Sequence, residues 1–103
     1  MMIKLERSDI GLIDALNIKN EENWKSKLAL HDLDIIIDCE NVKLKFSLLK
    51  ELTKYQKGKN RCIVIIIPVE QQIEYPENWN LVPSKVEALD FISLEQIQRD
   101  LEF

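Results

Sequence analysis

Leu33-Asp34-Ile35-Ile36-Ile37-Asp38-Cys39 and Cys62-Ile63-Val64-Ile65-Ile66-Ile67-Pro68 are two short, almost wholly apolar runs that flank one amphipathic stretch. β-Branched side chains are stiff at χ1 and suit a pleated surface. Runs of them without polar alternation belong to strands covered on both faces, as in parallel sheets. Between the runs, Phe46, Leu48, Leu49, Leu52 and Tyr55 form one apolar helix face from about residue 47 to residue 57, and Gly58 stands in the C-cap position. The unit is a parallel βαβ core whose return should be a right-handed crossover.

Outward from this core, Met2 to Arg7 alternates apolar and charged residues as a half-buried strand does, and Ile10 to Leu16 reads as a second strand after a Ser8-Asp9 turn. The chain should therefore begin with a β-hairpin. Asn20 is a good N-cap for a helix over residues 21–30, with Trp24 and Leu28 one turn apart. Glu70 to Asn80 is polar, contains Pro76 and reads as an irregular loop with Trp79 folded back; residues 81–83 suffice only for a short edge strand. Ser84-Lys85-Val86-Glu87 is a capping box and Ser93-Leu94-Glu95-Gln96 a second one, which predicts two short C-terminal helices or one helix broken near Ser93. The fold class is α/β: residues 1–103 as a single domain, with a four- to five-stranded mixed sheet and helices packed on it.

With 46% apolar and 31% charged residues and only two glycines, the composition is that of an ordinary globular domain rather than a linker or a disordered chain. The longest apolar run is far too short for a membrane span, and Met1 to Arg7 lacks a signal-peptide centre, so the expected location is the cytoplasm. Cys39 and Cys62 with the single histidine His31 match no zinc spacing, and both cysteines are expected as small buried hydrophobes. No nucleophile elbow, phosphate loop or metal motif is present, which points away from an enzyme and calls for no cofactor. Asp38 and Glu40, just past a parallel strand, are expected as solvated strand-end carboxylates, the alternative being a Mg²⁺ site.

Charge is unevenly spread. Residues 43–61 hold seven basic side chains against Glu51 alone, whereas the rest of the chain holds seven bases and seventeen acids. Lys50, Lys54, Lys57 and Arg61 are spaced to lie on one helix stripe, opposite Leu48, Leu52 and Tyr55. The stripe is either a solvated face, a face paired to Glu87, Asp90, Glu95, Asp100 and Glu102, or a docking surface for an acidic protein or a second copy. Nucleic acid is disfavoured because the remainder of the chain repels phosphate.

The order β-β-α-β-α-β-(β)-α resembles the STAS domain of anti-sigma-factor antagonists, through residues 35–42, the helix over residues 47–57, residues 62–68 and Pro83-Ser84-Lys85-Val86-Glu87-Ala88-Leu89. Residues 82–90 and 95–103 are similar to small STAS-like bacterial proteins encoded beside ribonuclease Z. The resemblance implies a regulatory protein-interaction module, with an RNA-binding accessory of tRNA processing as the alternative. Phosphorylatable members carry their acceptor serine in an Asp-Ser-Ser-Gly-like turn; Lys43-Leu44-Lys45-Phe46-Ser47 has neither the Asp nor the Gly, and Ser47 is the one acceptor candidate. Read from its own position, Ser47 is the helix N-cap. Ribonuclease chemistry itself would need several histidines around two metals, and this chain has one histidine. The candidate interaction surface is Lys43, Lys45, Ser47, Lys50, Lys54 and Lys57.

Overall fold

The computed structural model describes residues 2–101. Its strands are β1 (Lys4–Arg7), β2 (Ile10–Asp14), β3 (Asp34–Asp38), β4 (Ile63–Ile66) and β5 (Leu81–Val82); its helices are α1 (Ala15–Ile18), α2 (Trp24–Ala29), α3 (Phe46–Gly58) and α4 (Lys85–Leu101), with a 3₁₀ helix at Val69–Glu74. The strands lie side by side in chain order as one mixed sheet, β1 antiparallel to β2 and the other neighbours parallel. Ile35 stands opposite Ile63, and Ile37 opposite Ile65, so the two apolar runs are adjacent central strands.

Alternation along these strands feeds two cores. Ile13, Ile35, Ile37, Ile63 and Ile65 face one side, where Ile18, Leu28, Leu49 and Leu52 of the crossover helices cover them. Ile10, Ile36, Val64 and Ile66 face the other, covered by Ala88 and Ile92 of α4. That two-sided burial is why neither run shows polar alternation.

Several local expectations are corrected. The second strand stops at Asp14, whose Oδ1 accepts from the Leu16 N–H at 2.9 Å and starts α1, so Leu16 is helical. The next helix begins at Trp24 rather than Glu21, because Glu21 instead pairs with Lys27 at 2.6 Å and accepts from the Asn23 N–H at 3.2 Å. α3 starts one residue early, with Lys45 at the N-cap; Ser47 is the second helical residue and not the cap. Its C-terminal signal also moves. Gly58 is helical, and Asn60 takes the left-handed position at φ 60°, with Asn60 N–H donating to Lys57 O and Arg61 N–H to Gln56 O.

The two expected C-terminal helices are one, continuous through Ser93. Ser84 does cap it, Oγ accepting from the Glu87 N–H at 3.3 Å, but Ser93 accepts from Arg7 Nη1 at 2.8 Å and caps nothing. Polar anchors hold α4 along its length. Lys85 pairs with Glu6 at 2.8 Å, Gln96 donates to Asp9 at 2.9 Å, and Arg99 reaches the fully buried Asp34 at 2.6 Å.

Asp34 is the only fully buried charged side chain among the described residues, and its oxygens also accept from the Cys62 N–H and Gln96 Nε2, both at 2.8 Å. Removing one partner of such a pair strands the other, so Asp34→Ala should cost about 3 kcal/mol and Asp34→Asn clearly less. Urea denaturation measures both. Alanine at the two glycines should act with opposite sign. At Gly11 a Cβ would stand 2.8 Å from Ile3 Cγ2 and 3.1 Å from Leu33 Cδ1, overpacking worth roughly 1–3 kcal/mol. At helical Gly58 a Cβ meets nothing, and Gly58→Ala should stabilise by about 0.5–1 kcal/mol. Equal effects at both sites in the same denaturation series would contradict this packing.

Candidate functional site

The helix α3 buries Leu49, Leu52 and Gln56 and turns its lysines outward. Buried Gln56 ties α3 to the entries of β3 and β4, its Nε2 donating to Leu33 O at 2.9 Å and Cys62 O at 3.2 Å. On the opposite side Lys50, Lys54 and Lys57 are exposed along one stripe, and among the described residues none of the three is in an ion pair. Lys45 and Ser47 are exposed at the start of the same helix.

One member of the expected interaction surface, Lys43, and one of the expected helix stripe, Arg61, are already engaged. Lys43 pairs with Glu74 of the 3₁₀ helix at 2.7 Å, which pushes the Lys43 pKa up. Arg61 leaves the stripe because the left-handed turn at Asn60 ends α3. It forms a two-point pair with Asp32, Nε to Oδ1 at 2.9 Å and Nη2 to Oδ2 at 2.5 Å. The guanidinium beside Asp32 holds that carboxyl below the usual range. Pairing of the lysines with the acids of α4 is not what the fold builds: α4 covers the opposite face of the sheet, and Glu102 lies outside the described residues.

Phe46 has the spacing of the apolar helix face, yet it is 47% exposed. Its ring stacks on Trp79 at 5.1 Å and lies 6.4 Å from Tyr75, itself 5.9 Å from Trp79. The chain between β4 and β5 does fold Trp79 back, and it creates an aromatic stack at the start of the lysine stripe. Partly exposed Trp and Tyr rings are among the side chains that most often dominate interface energetics, and Tyr75 and Trp79 are half-buried here.

Near the other end of α3, a cleft of about 320 Å³ opens beside the first half of β4. β5 pairs only with Ile65 and Ile66, so Ile63 has no strand neighbour on that side. The Asn80 side chain covers the Ile63 carbonyl instead, Nδ2 to O at 3.0 Å. Lys57, Arg61 and Arg99 line this cleft with Trp79.

On the far side of the sheet, α4 shows Val86, Leu94, Ile97 and Leu101 to solvent, each more than half exposed. At 100° per residue these positions fall on one side of the helix, away from Ala88 and Ile92. The sequence signal was there as a second apolar periodicity. The capping pattern at Ser93 obscured it.

The strand-end carboxylates have a local role: Asp38 Oδ1 accepts from the Glu40 N–H at 3.0 Å. Because the strands lie in chain order, the sheet has no reversal point and so none of the crevice in which open α/β sheets usually bind ligands. Among the described residues no three His, Cys, Asp or Glu side chains converge as a metal site. His31 is exposed between α2 and β3, and its carbonyl accepts from Lys59 Nζ at 2.8 Å. Among the described residues no helix is long and apolar enough to cross a membrane.

Comparison with protein-family models, with curated proteins and with solved structures gave no match to this chain.

The two thiols are built to be inert. Burial first, and then the Asp38 carboxylate for Cys39 and the Asp34 carboxylate for Cys62, push both pKa values up to about 12. At pH 8 the folded chain should react with an aromatic disulfide reagent roughly 1,000-fold more slowly than a free cysteine, and at the free-cysteine rate in denaturant. Fast labelling of the native protein at pH 8 would refute that environment.

Proposed function

We propose that this chain is a non-enzymatic protein-interaction module, STAS-like in the manner of anti-sigma-factor antagonists, that docks an acidic protein partner on α3. The observation that carries the reading is the set of exposed cations Lys50, Lys54 and Lys57, in no ion pair among the described residues, on one face of a helix whose other face is locked into the core. Lys45, Ser47 and, through its pair with Glu74, Lys43 extend this surface to the aromatic stack at Phe46.

The chemistry is recognition without turnover. Three ammonium groups on a rigid helix steer an acidic surface and set its register, and the half-exposed Phe46 ring supplies apolar area at the edge. Ser47 is the position at which this surface could be switched. A phosphate there sits at the positive end of α3 and adds roughly −1.5 to −2 charges beside Lys43, Lys45 and Lys50, cancelling the field that attracts the partner.

The test is affinity purification of the tagged chain from its source cell, with a triple variant Lys50→Glu, Lys54→Glu and Lys57→Glu alongside. The variant should keep the native circular dichroism spectrum and lose the partner. Equal recovery with both proteins would remove α3 as the docking face. RNA binding is the second reading, favoured by an aromatic ring beside lysines. Salt-sensitive binding of tRNA in an anisotropy titration, lost in the same variant, would put it first.

A further inference from the structure

We propose that the cleft beside the first half of β4 is a binding site for a small organic carboxylate with an apolar body, held by Lys57, Arg61 and Arg99 with that body against Trp79. This goes beyond protein docking on α3 and concerns a ligand that the isolated chain would bind.

The cleft exists because β5 is short. Beside Ile65 and Ile66 the sheet edge is filled by Leu81 and Val82; before them only Asn80 holds the edge, its carbonyl accepting from the Ile65 N–H at 2.9 Å and its Nδ2 donating to Ile63 O at 3.0 Å, and no strand residue stands beside Ile63. The space left, about 320 Å³, falls within the size range of small-molecule sites and exceeds the volume of a single amino acid.

Its cations come from three separate elements, the end of α3, the turn after it and the last turns of α4. Both guanidiniums are held in place. Arg61 spends Nε and Nη2 on Asp32, and Arg99 spends Nη2 on Asp34, a carboxylate with no exposure at all. A guanidinium has five N–H donors in a fixed fork, so each keeps donors to spare while its orientation is already set. Little side-chain ordering is then left for binding to incur. Lys57, in no ion pair among the described residues, supplies a mobile third cation.

The acids around the site choose the anion. Glu95 lines the same cleft one turn before Arg99, the spacing at which an acid and a base on a helix pair. Arg99 instead points to Asp34, and Glu95 is in no ion pair among the described residues. With Asp32 and Asp34 behind the guanidiniums, three carboxylates offset three cations. A dianionic phosphate would meet that balance badly; a monoanion needs only the local donors. Trp79 is the apolar wall for the rest of the ligand; Ile63 and Ile65 border the cleft, but their side chains are buried in the core.

The shared chemistry, a carboxylate next to an apolar group, occurs in a free amino acid and at the carboxyl terminus of a chain. Titration of the full isotope-labelled chain by NMR with L-phenylalanine, N-acetyl-L-phenylalanine, L-phenylalaninamide and inorganic phosphate tests the site. Saturable shifts of the Trp79 indole and Asn78 signals are expected with at least one of the two carboxylates, with a Kd on the order of 1 mM, and none with the amide. Lys57→Gln should weaken binding roughly 5-fold, and Lys19→Gln, an exposed lysine outside the cleft and the α3 surface, should leave it unchanged. Tighter binding of phenylalanine assigns a free amino acid with its ammonium on Glu95; tighter binding of the acetylated probe assigns a chain terminus. Either order supports the site. No saturation with either carboxylate, equal binding of the amide, or saturation by phosphate alone overturns it.

Discussion

A buried carboxylate at the start of the central strand must be matched, and the match organises both ends of the chain around it. Asp34 has no exposure, and its two oxygens take the Cys62 N–H of the neighbouring run, the Gln96 amide and the Arg99 guanidinium. One side chain thus ties β3 to the entry of β4 and to α4. Burial of an unmatched charge costs several kcal/mol, so a slide of α4 along the sheet would strand Asp34 as well as disturb the packing of Ala88, Leu89, Phe91 and Ile92.

That constraint explains the odd distribution of α4's side chains. Lys85, Ser93, Gln96 and Arg99 all reach inward to partners on the hairpin and β3, and Val86, Leu94, Ile97 and Leu101 are left outside. A helix docked by polar anchors has its aliphatic stripe free. α3 is the reverse case: its aliphatic residues are locked into the core and its lysines face out. The two helices lie on opposite faces of one sheet, so the molecule presents a basic surface and an apolar one in different directions. The same anchoring of Arg99, together with the pair between Arg61 and Asp32, builds the cationic wall of the cleft between them.

Much of the scaffold is legible from local patterns. Two Ile/Val runs without alternation mean strands buried on both faces, and here they are β3 and β4. The opening hairpin and the Ser84 capping box rest on similarly short-range chemistry, and so does the exposure of Lys50, Lys54 and Lys57, which follows from helical spacing opposite Leu49 and Leu52. Readings failed where a residue had a distant partner to choose. Phe46 has the spacing of a core residue but stacks on Trp79, 33 positions away; Arg61 continues the lysine spacing but turns to Asp32; Ser93 has a capping-box pattern but bonds Arg7. Gly58 sits where glycine usually ends a helix, yet Asn60 takes the left-handed turn, because the two hydrogen bonds that close α3 fall two residues later.

The class of the fold and the orientation of α3 follow from local pattern, since both depend on periodicity within a dozen residues and on apolar surface leaving water. Which polar side chains are engaged and which are available is settled by long-range packing. Whether an arginine, a glutamate or an aromatic ring is available to a ligand depends on what stands within a few ångströms of it, and those neighbours come from the far ends of the chain. Asp34 shows the difference most clearly: it sits inside an apolar run, and its partner Arg99 is 65 residues away.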